Sequence, residues 1–141
     1  MSPTKDDRRR VSVLIPYRVN GDEVEVFIQK RKPDAKRLPD WFGFFGGGCE
    51  GTETPEQTLV REIREELEWT PIGYAHFRQY ERPTNVLDAF IASVGDDFTA
   101  RIRVTEGEYG KWLSITEALR ESKLTENDKQ VLRDLADYLK S

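Results

Sequence analysis

The sequence predicts an α/β domain, on three observations. Two stretches near the N-terminus alternate apolar and polar residues at the period of a strand. A capped amphipathic helix follows, starting at Thr54. Further strand-like runs come after it, and two helices close the chain.

Val11 to Tyr17 reads as the first strand, with Val11, Val13 and Ile15 on one face. Asn20-Gly21 is a hairpin turn signal. In the next strand Val24, Val26 and Ile28 alternate with Glu23, Glu25 and Phe27. Gln29 to Trp41 is polar, contains Pro33 and Pro39, and reads as an exposed loop. It carries Lys30, Arg31, Lys32, Lys36 and Arg37. These cations either grip phosphates beside the following segment or serve only as solubilising surface charge.

The stretch from Phe44 to Trp69 organises the rest. Gly46, Gly47, Gly48 and Gly51 open backbone conformations that other residues resist, and can bring a carbonyl oxygen close to a ligand. No Gly-Lys-Ser/Thr follows, so this is not a Walker loop. Thr54 is an N-cap, Pro55 suits the first helical position and Gln57 completes a capping box. The helical pattern runs to about Leu67. Leu59, Val60, Ile63 and Leu67 share one sector, and Glu62, Glu65 and Glu66 share the next.

Like charges at that spacing cost a helix roughly 0.2–0.5 kcal/mol per pair. A hard divalent cation reverses the sign, since Mg²⁺ prefers oxygen ligands and bridges to substrate phosphates. The plainer alternative is a solvated acidic face.

After the helix, Pro71 to Arg82 and Asn85 to Ser93 read as two strands with Pro83-Thr84 between them. Arg101 to Val104 is a short strand candidate. An acidic, glycine-containing run from Glu106 leads to Trp112, read as core rather than as a stacking platform. Ser114 caps a helix to about Ser122. Thr125 and Asp128 start the last helix, Asn127 opens it, and Val131, Leu132, Leu135 and Leu139 form its apolar stripe.

Composition narrows the function. A chain of 141 residues is one domain by prior, here residues 9–141 behind a disordered tail at 1–8. A net charge of −4 gives no broad basic surface for a nucleic-acid polymer, but a small anionic substrate remains compatible with it. The single cysteine, Cys49, excludes an internal disulfide, fits a reducing compartment and reads as a loop residue. With His76 as the lone histidine, neither a His-rich zinc site nor a Ser-His-Asp triad is supported. No run approaches the ~18 apolar residues of a membrane span. The charged N-terminus lacks a following apolar region of signal-peptide type, so a cytoplasmic location is expected.

One spacing is specific. Gly47 is followed after five residues by Glu53, and after seven more by Arg61-Glu62-Ile63-Arg64-Glu65-Glu66. This resembles the signature of the Nudix hydrolases, which cleave a nucleoside diphosphate linked to another moiety. Two positions depart from that signature: Glu68 stands where a glycine is expected near the helix end, and Phe45 stands where the preceding turn usually has proline.

The resemblance implies a fold, an α/β/α sandwich with a mixed β-sheet between helices. It implies Mg²⁺, with Mn²⁺ able to substitute, held by Glu62, Glu65 and Glu66 and by the carbonyl of Gly46. Arg61 would orient Glu53, or the two form a purely structural ion pair. Glu62 is taken as general base, with Glu106 or Glu108 able to serve instead. Arg31 at the strand end would contact phosphate. The mutator-type (8-oxo-dGTP) members imply Glu106, or Glu108 in its place, as a further metal ligand. They also imply Asn127 as a reader of the purine edge, although a side-chain amide there also caps a helix. The expected reaction is hydrolysis of a (d)NTP, oxidised forms included, to NMP and pyrophosphate. Nucleoside diphosphate sugars and dinucleoside polyphosphates are alternative substrates. A non-catalytic nucleotide-binding module and an acidic protein-interaction domain are the competing classes. The expected partner is a small nucleotide, with no nucleic-acid polymer and no membrane, and the chain is a monomer or homodimer.

Overall fold

The computed structural model describes residues 7–140. The chain forms β1 (Arg9–Asn20), β2 (Glu23–Lys30), β3 (Phe42–Gly43), β4 (Phe45–Gly48), α1 (Pro55–Leu67), β5 (Tyr74–Glu81) and β6 (Asn85–Ser93), then α2 (Phe98–Arg101), β7 (Tyr109–Ser114), α3 (Ile115–Arg120) and α4 (Glu126–Lys140). The strands make one mixed sheet. Its main path is β3-β2-β1-β6-β5, with β4 added to β1 and β7 to β2. β1 and β6 run parallel from Arg9↔Asn85 to Tyr17↔Ser93, and the other pairings are antiparallel.

β1 is long enough to serve two partners along one edge. Val11 to Leu14 face β4, and Tyr17 to Asn20 face β2. The hairpin closes on the pair Asn20↔Glu23, with Gly21 at φ 65 opening the two-residue loop. Strand alternation then splits the core into two layers. Val13 and Ile15 pack with Ile115, Ala118, Val131, Leu132 and Leu135 from α3 and α4. Leu14 and Phe27 pack with Leu59, Ile63 and Leu67 from α1. The result is an α/β/α sandwich, and each fully buried side chain of this size contributes about 1.5–3 kcal/mol. Among the described residues, no helix is long and apolar enough to cross a membrane.

α1 starts and stops at the expected places. Thr54 Oγ1 accepts from the Gln57 N–H at 3.2 Å, and Gln57 Oε1 accepts from the Thr54 N–H at 2.9 Å. The helix ends on Glu68 in the left-handed conformation (φ 48, ψ 40), the geometry in which glycine is the usual residue. Phe45, expected in a turn, is instead the first residue of β4 and pairs with Leu14 of β1. Its side chain is fully buried and its ring stacks on Phe27, with centroids 5.6 Å apart.

Three expectations need correction. Arg101 to Val104 is not a strand. Arg101 ends α2, and the run after it sends the N–H groups of Arg103 and Thr105 to the carbonyls of Leu67 and Glu66. The carbonyls at the end of α1 lack helical partners and take those donors in place of a sheet edge. The strand expected from Pro71 begins only at Tyr74, after Gly73 turns the chain at φ 64. Val60 is only half-buried, whereas Thr58 and Glu66 are buried in α1. Of the expected tail at residues 1–8, positions 1–6 lie outside the described residues, and Arg8 pairs with Glu81 at 3.1 Å.

Candidate active site

The glycine run at β4 is fixed by close approach. A Cβ on Gly46, whose φ is 146, would collide with the backbone of Ser12 on β1. A Cβ on Gly47 would fall 2.5 Å from the carboxylate carbon of Glu62. Bare backbone therefore lets α1 press its acidic ridge directly onto β4.

Glu66 sits deepest. Only 5% of it is exposed, and the Gly46 N–H donates to its Oε2 at 2.7 Å. Burial pushes its carboxyl up to about 8 despite the Gly46 N–H, and the charges of Glu106 and Glu62 push the same way. Burial also raises the Glu62 carboxyl, against the pull of Arg61. Glu65 is exposed at the edge of the ridge, 3.6 Å from Arg61 Nη1.

Arg61 uses its whole fork. Nε and Nη2 bind the two oxygens of Glu53 at 2.8 and 2.9 Å, Nη1 binds Glu62 Oε1 at 2.8 Å, and Nη2 also donates to the Gly48 carbonyl at 2.9 Å. This grip, with the Glu50 N–H and the Thr58 hydroxyl, holds the Glu53 carboxyl down at about 2. The expected Arg61–Glu53 contact is therefore present, and Arg61 ties it to Glu62.

Glu106 joins the ridge through backbone chemistry. Thr105 N–H donates to the Glu66 carbonyl at 2.9 Å and Thr105 Oγ1 to the Glu65 carbonyl at 2.6 Å, which seats the following residue beside α1. The Glu106 charge acts on both Glu62 and Glu66. Glu108 instead anchors its N–H on the Lys30 carbonyl at 2.8 Å. Among the described residues, no three Asp, Glu, His or Cys side chains already converge at ligand distance.

Beside the ridge opens a cavity of about 390 Å³, lined by Gly46, Gly47 and Glu66 together with Arg31, Asn127 and Asp128. It thus brings the expected phosphate and base contacts next to the acids. Arg31 Nε is buried in it with no hydrogen-bond partner. Burial lowers the Arg31 pKa, and Asp128 partly offsets this. Asn127 is exposed at the mouth, its carbonyl 3.3 Å from Arg82 Nη2.

Asp128, which by sequence pattern only starts the last helix, also belongs to this cavity. Its carboxyl is raised by burial, while Arg31, Thr125, Arg82 and Arg37 pull it down. The signal was available: extended back one turn, the stripe of Val131, Leu132 and Leu135 lands on Asp128 rather than Asn127. His76 pairs at 2.9 Å with the buried Asp88 across β5 and β6 and takes no part in the ridge. Cys49 lies against the Glu53 carbonyl, 3.2 Å away. A larger hollow of about 850 Å³ runs along α1 between Thr54 and Tyr74; Arg61 and Glu65 line it, but Gly46, Glu62 and Glu66 do not.

The NUDIX domain model matches residues 8–135. The chain belongs to the Nudix family. An 8-oxo-dGTP diphosphatase of Escherichia coli is 32% identical over 99 residues, spanning 69% of this chain and 75% of that protein. These matches make the chain a Nudix-type pyrophosphohydrolase, a hydrolase of acid anhydrides that takes small nucleotides. A solved MutT, from work on Aliivibrio salmonicida and Vibrio cholerae, superposes with a TM-score of 0.72 at 24% identity, covering 93% of this chain and 98% of that one. A MutT/nudix family protein from Enterococcus faecalis gives 0.65 at 16% identity; it covers 81% of this chain, which spans only 46% of its length. At those identities the superpositions report the Nudix fold alone.

Proposed function

We propose that this Nudix enzyme hydrolyses a nucleoside triphosphate, an oxidised deoxynucleotide included, to the monophosphate and pyrophosphate. One observation carries the reading. The cavity that holds the buried carboxyl of Glu66 also holds a buried, unpartnered donor on Arg31. An orphaned buried N–H costs about 1–3 kcal/mol, so its presence calls for an acceptor, and phosphate oxygen is one. The diphosphatase relative supports the triphosphate substrate.

The donor set suits a hard divalent cation, Mg²⁺ or Mn²⁺ in its place. Glu62, Glu65, Glu66, Glu106 and the Gly46 carbonyl offer oxygen only. Glu66 is raised to about 8 in an all-protein setting, and a neighbouring cation is what would keep it ionised. Such an ion, when bound, supplies neutralisation of phosphate charge and acidification of water.

The chain's own residues then have separate tasks. Arg61 fixes Glu62 through Oε1, which leaves Oε2 to take the proton of the attacking water. The water oxygen bonds to phosphorus, the bridging P–O bond breaks, and pyrophosphate leaves with the electron pair. Arg31 holds phosphate oxygens, and Asn127 meets the base at the cavity mouth. We assign this activity to one domain, residues 9–141, working in the cytoplasm as a monomer or homodimer.

The test is a panel of nucleoside triphosphates, nucleoside diphosphate sugars and dinucleoside polyphosphates with Mg²⁺, read by product chromatography. Monophosphate plus pyrophosphate from a triphosphate is the expected result. Faster cleavage of another class overturns the substrate. Tight binding without turnover makes the chain a binding module.

A further inference from the structure

Arg8, Arg9 and Arg10 stand in a row at the start of β1, but their side chains have different fates. Arg8 reaches Glu81 at 3.1 Å and Arg10 reaches the buried Asp88 at 4.0 Å. Arg9 has no ion pair and no side-chain hydrogen bond among the described residues, and it lines the same cavity as Gly47 and Glu66. Its own backbone is anchored, because the Arg9 N–H donates to the Thr84 carbonyl at 3.1 Å. The stem is fixed and the charged head is left to solvent.

The position of that head is set by a glycine. A Cβ on Gly48 would lie 3.1 Å from Arg9 Nη2 and 3.2 Å from its Nε. The guanidinium therefore lies over β4 in space that any side chain at 48 would enter. On the neighbouring residue, Gly47, the corresponding direction meets the carboxylate of Glu62. Alternation puts these two contacts on opposite faces of the strand. Two adjacent glycines are thus flanked by the acidic ridge on one side and by an unpaired cation on the other. Of the arginines nearby, Arg61 is held by Glu53 and Glu62 and Arg82 donates to the Asn127 carbonyl, while Arg31, whose Nε has no partner, and Arg37 share the cavity lining with Arg9.

We infer that Arg9 binds a phosphate group of the substrate across Gly48, opposite the acidic ridge, as a specificity residue for the polyphosphate chain. This rests on the nucleotide reading above. The phosphate gripped is either that of the leaving pyrophosphate or that of the monophosphate product; the chemistry of the contact, guanidinium to phosphate oxygen, is the same.

The experiment compares Arg9→Gln, Arg9→Lys, Gly48→Ala and the double variant Arg9→Gln/Gly48→Ala, with Arg10→Gln as control. A charge-assisted hydrogen bond lost from the complex raises KM roughly ten- to a hundredfold. Arg9→Gln should do that with kcat near wild type and with a weaker dependence of KM on salt. Arg9→Lys should restore part of the loss and Arg10→Gln should leave KM alone. The methyl of Gly48→Ala makes the guanidinium give by a few tenths of an ångström, so it should raise KM less than Arg9→Gln does and add nothing to Arg9→Gln. Calorimetry with inorganic pyrophosphate and with nucleoside monophosphate, each with Mg²⁺, identifies the phosphate by which binding Arg9→Gln weakens. An unchanged KM and unchanged binding of both products in Arg9→Gln, while the wild type turns over, overturns this inference alone. So does strict additivity with Gly48→Ala. A wild type that neither binds nor cleaves any nucleotide overturns the functional reading and this one with it.

Discussion

Arg61 holds Glu53 by both carboxylate oxygens, Nε to Oε2 at 2.8 Å and Nη2 to Oε1 at 2.9 Å, while its remaining nitrogen holds Glu62. A planar fork is needed to serve two carboxylates at once, and a lysine ammonium cannot reproduce it. Arg61→Lys should therefore lower turnover roughly 10–100-fold, the usual cost of losing a group that orients a ligand. Steady-state kinetics at saturating Mg²⁺ checks this. A rate within twofold of wild type would mean the pair serves only the fold.

The same pair should write itself into the acid stability of the protein. The Glu53 carboxyl sits at about 2 in the folded chain, below its ordinary 4.5, chiefly because Arg61 binds its ionised form. The folded state therefore binds fewer protons at this site than the unfolded chain between those values. The contribution is complete above pH 4.5 and is lost as pH falls through about 2. Glu53→Gln cannot titrate. The Tm gap between wild type and Glu53→Gln should be widest above pH 5 and should close toward pH 2, which a series of thermal melts would show. A gap independent of pH would remove the ion pair from the explanation.

Glu65→Gln and Glu66→Gln separate ligand chemistry from packing. Both keep side-chain volume and remove one negative charge. Each should reduce turnover by orders of magnitude while the far-ultraviolet circular dichroism stays native, because Mg²⁺ prefers carboxylate oxygen over neutral amide. Near-normal rates in either variant at saturating Mg²⁺ would remove that residue from the proposed ligand set.

Glu68 gives a prediction of the opposite kind. It ends α1 at φ 48, ψ 40. A side chain in this region costs roughly 1–2 kcal/mol, a cost that glycine escapes while giving up some unfolded-state entropy. Glu68→Gly should stabilise the protein by about 1 kcal/mol, a rise of roughly 2–4 °C in Tm, and leave turnover unchanged. A large gain in rate would show that this departure from the family pattern had been distorting the site.

What the sequence made legible was local. The α1 cap, its start and its end depend on residues within four positions of one another, and all three were readable from Thr54, Gln57 and Leu67. The signature spacing likewise named residues that the fold brings to one ridge and one cavity. The misses lie where distant groups compete. Nothing near Arg103 says that its N–H will choose the Leu67 carbonyl over a sheet. Nothing near Arg9 says that the glycine leaving it room is Gly48, thirty-nine positions on. Asp128 was missed for a smaller reason, since one more turn of helical periodicity would have pointed it inward.

Phe45 tests how far the family pattern can be restored without regard to these tertiary contacts. Proline is the usual residue there, and it would lower unfolded-state entropy by about 0.4–1 kcal/mol. Against that stands a fully buried ring stacked on Phe27 inside the α1 layer. Truncating a buried phenylalanine costs about 3–5 kcal/mol, and the lost stacking about 0.5–1.5 kcal/mol of that. The packing loss wins by a margin that proline's partial filling of the space does not close. Phe45→Pro should therefore destabilise the protein by about 2–3 kcal/mol, seen as a lower urea midpoint with unchanged slope. A midpoint at or above that of the wild type would show that the α1 layer repacks freely around position 45, and that the family's proline was simply absent rather than replaced by a core contact.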